Sequence, residues 1–163
     1  MIVEQVHGNV LDLPAGDLAG RHVEKVILPL AALTKRVQRV TSDHGREFGI
    51  RLAPDAPGLR EGDILVDEGA DLVVVALEPT DVLIIAPDSL ERMGVVAHNL
   101  GNRHLPAQFF PAEVSFPEIG AHQGVMVIEY DHTAEHYLEQ AGVRFVRSSR
   151  VMAQPFRHAE HTH

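Results

Sequence analysis

Val82-Leu83-Ile84-Ile85-Ala86-Pro87-Asp88-Ser89-Leu90-Glu91-Arg92-Met93-Gly94-Val95-Val96-Ala97-His98-Asn99-Leu100-Gly101, residues 82–101, changes hydrophobic period part-way along. The unbroken apolar run Val82 to Ala86 reads as a buried strand. Pro87-Asp88-Ser89 then presents a capping residue, and Leu90, Met93, Val96, Ala97 and Leu100 recur at helical spacing, which predicts a helix from residue 90 to near Gly101. Downstream, extended segments are expected around Ala107 to Phe110 and Val125 to Tyr130. A helix from about Thr133 to Gln140, closed by Gly142, and a strand Val143 to Val146 follow. The order βαββαβ is that of a ferredoxin-like domain, two helices on one face of an antiparallel sheet, whose open face and edges are suited to dimerisation.

Upstream the pattern differs. Val37 to Thr41 and Glu47 to Leu52 flank Ser42-Asp43-His44-Gly45, whose aspartate and glycine supply hairpin turn conformations. Ala53 to Asp63 is a loop rich in proline and glycine. Ile64-Leu65-Val66 and Leu72 to Ala76 are two more strands around Glu68-Gly69. Glu78-Pro79-Thr80 marks a boundary, because proline ends a strand and the period then changes. The expected fold is therefore α+β, with an all-β domain over residues 1–78, a ferredoxin-like domain over 79–151 and a flexible tail over 152–163, which carries no apolar repeat.

The 163 residues carry a formal charge of −9, which opposes binding to phosphate backbones, so nucleic acid is an unsuitable partner. No cysteine is present, so any metal must sit on nitrogen and oxygen donors. No basic segment leads into an apolar one near Met1, and the apolar runs are too short to span a bilayer; a cytoplasmic protein with no membrane partner is expected. The composition is unusual in histidine, with 11 copies, and the last six residues include His158, His161 and His163.

Three histidine groups bear on metal. His104 follows Gly101-Asn102-Arg103 and should lie just past the helix end, free to project. One imidazole supplies one or two ligand atoms, so a complete site there would need a partner, such as His104 of a second subunit across a two-fold axis; a helix-capping or solvent-facing His104 is the plain alternative. His132 and His136 stand one turn apart on a helix face and offer a peripheral metal site. With Glu135 they also match His-x-x-Glu-His, in which two histidines hold zinc and the glutamate activates water, so a zinc metallopeptidase is one alternative function and a metal-independent interaction adaptor is the other. That reading requires a third protein ligand and a cleft, and a solvated helix face requires neither. The tail histidines, spaced three and two apart, fit no single helix or strand face, but a flexible chain can wrap them round an ion, and imidazole suits nickel, copper and zinc alike. His7, His22, His44 and His122 stand alone in the sequence and read as surface or packing residues. No glycine-rich phosphate loop, Gly-x-Ser-x-Gly or paired-carboxylate pattern suggests a catalytic residue.

Gly101-Asn102-Arg103-His104, followed by Leu105-Pro106, resembles the signature of the UreE family of urease accessory proteins. Arg39 to Gly45 with Gly49 to Leu52, Glu61 to Leu65, Tyr130-Asp131-His132 and Pro155-Phe156 are similar to other parts of that family, so the resemblance covers nearly the whole chain. It implies an N-terminal peptide-binding-like β domain and a ferredoxin-like domain that dimerises. It also implies that the histidine matching His104 in each subunit binds one Ni(II) at the interface, with tail histidines adding ligands; Zn(II) or Cu(II) can occupy the same site. The implied partners are the urease apoprotein and the accessory GTPase, and the implied role is a metallochaperone and not an enzyme. Tyr130 stands where some members place a histidine, and the tail is short; both count against a peripheral site at His132 and against bulk nickel storage. Imidazole binds metal only when neutral, so loading should weaken as pH falls through about 6.5, the range of an unperturbed histidine.

Overall fold

A computed structural model describes residues 1–14 and 16–157. The chain is α+β, ten strands and two α-helices among the described residues, and forms two compact units. One comprises Met1–Pro79 with Val151–Pro155; the other comprises Thr80–Arg150 with Phe156 and Arg157.

The first unit contains β1 (Ile2–Val3), β2 (His22–Leu28), β3 (Val37–Thr41), β4 (Glu47–Arg51), β5 (Ile64–Asp67) and β6 (Asp71–Leu77). They form two three-stranded sheets, ordered β1-β4-β3 and β2-β6-β5. The β3–β4 hairpin forms as its turn residues predict, with Gly45 at φ 79°. β2 escaped the sequence reading. It pairs in parallel with β6, His22 opposite Asp71 through Leu28 opposite Leu77, and buries Glu24, Val26 and Leu28 on one face. A glutamate at an inward position breaks the polar–apolar alternation that announces a strand. Val26, Leu33, Phe48, Ile50, Leu65 and Leu72 are buried at the centre of this unit.

Within it, the turn before β5 is held by Asn9. Its Nδ2 donates to the Asp63 carboxylate at 2.9 Å and to the Glu61 carbonyl at 2.8 Å, and its Oδ1 accepts from the Leu11 amide. Gly62 lies against this side chain at φ 84°, and a Cβ there would stand 2.7 Å from Asn9 Oδ1. Glycine is required twice, by backbone conformation and by space.

The second unit runs β7 (Thr80–Ile85), α1 (Leu90–Gly101), β8 (Ala107–Phe110), β9 (Val125–Glu129), α2 (His132–Ala141) and β10 (Phe145–Arg150). All pairs in its sheet are antiparallel and the spatial order is β10-β7-β9-β8. Leu83, Ile85, Met126 and Ile128 from the sheet pack with Val96 and Leu100 of α1 and Ala134 and Leu138 of α2. Val82, Ile84 and Val127, which alternate to the other side of the sheet, are also buried, as an unbroken apolar strand run requires. β8 is an edge strand and leaves Phe109 58% exposed. β10 extends to Arg150, beyond the expected Val146, because Arg147–Arg150 pair with Thr80–Leu83 although their side chains are polar. Met152, in the stretch read as tail, is buried at 2%.

Replacement of Gly62 by alanine should lower the unfolding free energy by about 2–4 kcal/mol through left-handed strain and displacement of Asn9. Urea denaturation of the two proteins measures this.

Candidate metal centre

The end of α1 builds the first candidate site. Ser89 caps the helix start by accepting from the Arg92 amide at 3.2 Å. At the other end neither Gly101 nor Asn102 makes the turn: Gly101 is the last helical residue and Asn102 remains right-handed at φ −64°. The chain reverses at His104, whose φ of 59° is the single left-handed non-glycine conformation among the described residues. The His104 amide donates to the Gly101 carbonyl at 2.9 Å, and the Leu105 amide reaches the Leu100 carbonyl at 3.4 Å. These two bonds are the Schellman closure, and Leu105 packs against the cluster that contains Leu100, the hydrophobic contact that accompanies it. Glycine ordinarily fills the left-handed position. A side chain there costs about 1–2 kcal/mol, so a histidine in this place points to a use for its ring.

The neighbours support the turn. Arg103 donates to the Thr133 carbonyl at 3.2 Å and lies over the Tyr137 ring, 5.2 Å from its centroid, which ties the turn to α2. The Asn102 amide meets His98 Nε2 at 3.2 Å. His104 itself is exposed, and its imidazole has no hydrogen-bond or ion-pair partner among the described residues. Gly101 has neither a positive φ nor any atom within 4 Å of an added Cβ, so nothing in the described chain demands a glycine there.

The second candidate group lies at the start of α2. Asp131 caps it, accepting from the Ala134 amide at 2.8 Å and the Thr133 hydroxyl at 2.6 Å, and Thr133 above all holds the Asp131 carboxyl below its ordinary range. His132 and His136 are exposed, one turn apart. Glu135 accepts from the Tyr130 hydroxyl at 2.9 Å, and that bond pushes the phenol pKa up. Arg147 stacks 3.6 Å from the Tyr130 ring centroid and grips Asp81 with two hydrogen bonds, 3.1 and 2.7 Å. Among the described residues no three His, Asp or Glu side chains are gathered so as to hold an ion.

A family model for the UreE urease accessory protein, N-terminal domain, matches residues 3–78. Over the full length of both chains, this protein is 67% identical to the urease accessory protein UreE of Actinomyces naeslundii. Similarity to the proteins of the same name from Pseudarthrobacter chlorophenolicus and Corynebacterium efficiens, 56% and 47% identical, also spans both chains completely. The chain belongs to the UreE family of urease accessory proteins.

A UreE-family chain is an accessory protein and not an enzyme, as the sequence led us to expect. The His-x-x-Glu-His match fits no peptidase here: no third ligand joins His132 and His136 among the described residues. No helix among these residues is long and apolar enough to cross a membrane. His158, His161 and His163 lie outside the described residues. Of the histidines read as solitary, His122 is structural, its ring joined to the Val114 carbonyl at 2.9 Å and the Gly124 amide at 3.1 Å. His22 and His44 are not solitary: their rings meet at a centroid distance of 4.9 Å. Only the strand that the sequence reading missed, β2, brings them together.

The backbone at position 104 supplies a direct test. His104→Gly should raise the unfolding free energy by about 1 kcal/mol, because glycine enters the left-handed conformation without a Cβ clash. His104→Ala keeps the clash and should leave stability within about 0.5 kcal/mol of the parent. Equal stability of the glycine and alanine variants in thermal or urea melts would contradict the strain at this position.

Proposed function

We propose that this chain is a cytoplasmic nickel metallochaperone that delivers Ni(II) for assembly of the urease active site. The observation that carries the reading is His104: an exposed imidazole with no partner among the described residues, kept in a strained conformation just past the end of α1. One such ring makes an incomplete site. Two copies joined about a two-fold axis supply the second, so that His104 of each chain holds one Ni(II) ion, with His158, His161 and His163 adding donors from the tails. Zn(II) and Cu(II) compete for the same nitrogen donors.

In this reading the chain has a division of labour. Residues 1–78 are a peptide-binding-like β domain that meets partners, 79–151 a ferredoxin-like domain that dimerises and holds metal, and 152–163 a tail. Several features of the second domain suit an interface between two copies. Gly94 and Gly101, seven residues apart, share one side of α1, and neither has an atom within 4 Å of an added Cβ. Val95 on that helix is 54% exposed and Phe109 on the edge strand 58%. Glycine at 101 would let a second backbone approach close to His104. His132 and His136 would form at most a weak peripheral site. Nitrogen donors shared between chains and completed by tails can open, which suits passage of the ion to the urease apoprotein in company with the accessory GTPase.

Nickel titration calorimetry, read together with mass in solution, should give one tight ion per dimer. His104→Ala should remove that binding and leave the fold intact; tight binding unchanged in this variant would refute the reading. Deleting residues 157–163 should lower affinity or stoichiometry without abolishing the interface site, and no change in either would remove the tail from the mechanism.

A further inference from the structure

His22 and His44 are 22 residues apart in sequence and belong to different sheets of the first unit, yet the fold sets them together. The parallel register of β2 on β6 places His22 beside Asp71, with Nδ1 3.3 Å from its carboxylate. The β3–β4 turn brings in His44, whose Nδ1 is 2.8 Å from Asp43 Oδ1. Asp43 is itself fixed, accepting from the Lys25 amide at 2.9 Å, and this bond above all keeps its carboxyl below the usual range. For His44 the carboxylate bonded to Nδ1 favours the proton on that nitrogen and leaves the Nε2 lone pair for a metal, while His22 Nδ1 lies at ion-pair distance from Asp71.

The ring spacing suits a shared ion. A metal–nitrogen bond of about 2.1 Å, plus roughly 1.2 Å from nitrogen to ring centre, puts two imidazole centroids about 4.7–5.4 Å apart for ligand angles of roughly 90–110°. The observed separation is 4.9 Å, with the rings 79° apart in plane. Both side chains are about half exposed, at 56% and 50%, so an ion can reach them.

The surroundings select a cation. Glu24, on the same face of β2 as His22, is 4% exposed, and its Oε2 accepts from Arg46 at 2.9 Å. Arg46 also faces Glu68 at 3.6 Å. Four carboxylates, Glu24, Asp43, Glu68 and Asp71, thus stand against one guanidinium, and strand alternation turns Lys25 toward the other face of β2. An anion would be repelled there.

We propose that His22 and His44 form a second metal site, within the first unit, that binds one late first-row divalent ion through their two Nε2 atoms with water completing the coordination. With two protein donors the ion is held less firmly than in a closed site, so it exchanges readily. It bridges β2 to the β3–β4 turn, and so links the two sheets of the unit.

The test uses the full chain with Zn(II) and Ni(II) as probes. In calorimetry, His22→Gln with His44→Gln should bind one ion fewer per chain, while His104→Ala keeps that ion; the two losses are independent, so failure here is distinguishable from failure of the nickel-carrier reading. In NMR spectra, Ni(II) should broaden the ring signals of His22 and His44 at the equivalents the double variant loses. Matching amide spectra of the metal-free proteins establish that the glutamine variant folds, and ring broadening in the unmutated chain is read without any variant. Unchanged stoichiometry in the folded double variant, or ring signals of His22 and His44 that stay sharp through saturation, would overturn the site.

Discussion

The reversal of the chain after α1 is the constraint on which the candidate centre depends. Leu100 and Leu105 both belong in the apolar core of the second unit, and the chain can bury both so close to the helix end only by folding back through a left-handed residue. The amide of Leu105 then reaches the carbonyl of Leu100 and the turn is closed. Residue 104 receives the left-handed conformation as a consequence of that burial, whatever its side chain. Histidine there stands away from the helix with its ring uncommitted, and Arg103 locks the turn onto α2 through Thr133 and Tyr137. Packing energy thus holds a side chain that local preference would reject, a common way for a functional group to be kept in place.

The same unit shows how polar contacts can remove a residue from chemistry. Glu135 has the spacing of a catalytic glutamate, yet Tyr130 engages it, and Arg147 and Asp81 hold Tyr130 from the other side. In the first unit carboxylates have the opposite effect. Asp43 takes one nitrogen of His44 and leaves the other available, and Asp71 stands 3.3 Å from Nδ1 of His22. The phenol orients the Glu135 carboxylate through one of its two oxygens, whereas an imidazole bonded at one nitrogen gains basicity at the other.

Much of the fold was legible from local pattern. The periodic residues of α1, its capping serine, the glycine that closes α2 and the β3–β4 turn all act within a few residues of chain, and each formed where its chemistry placed it. β2 was not legible, because Glu24 sits inward and interrupts the alternation, and its parallel partner β6 begins 43 positions beyond the end of β2. The polar end of β10 was missed for a related reason: Arg147 to Arg150 are strand by virtue of pairing with β7, not by composition. Met152, a lone apolar residue in a polar stretch, has no period to reveal its burial.

For function, sequence alone determined the family, through the tetrad Gly101-Asn102-Arg103-His104, and restricted any metal to nitrogen and oxygen donors, since both depend only on which residues occur and in what order. Tertiary structure decided the backbone conformation of His104, the engagement of Glu135, and the meeting of His22 with His44. Those three outcomes come from competition among distant groups for burial and for hydrogen bonds. Such a competition is settled only when the whole core is assembled, so no window of sequence contains it.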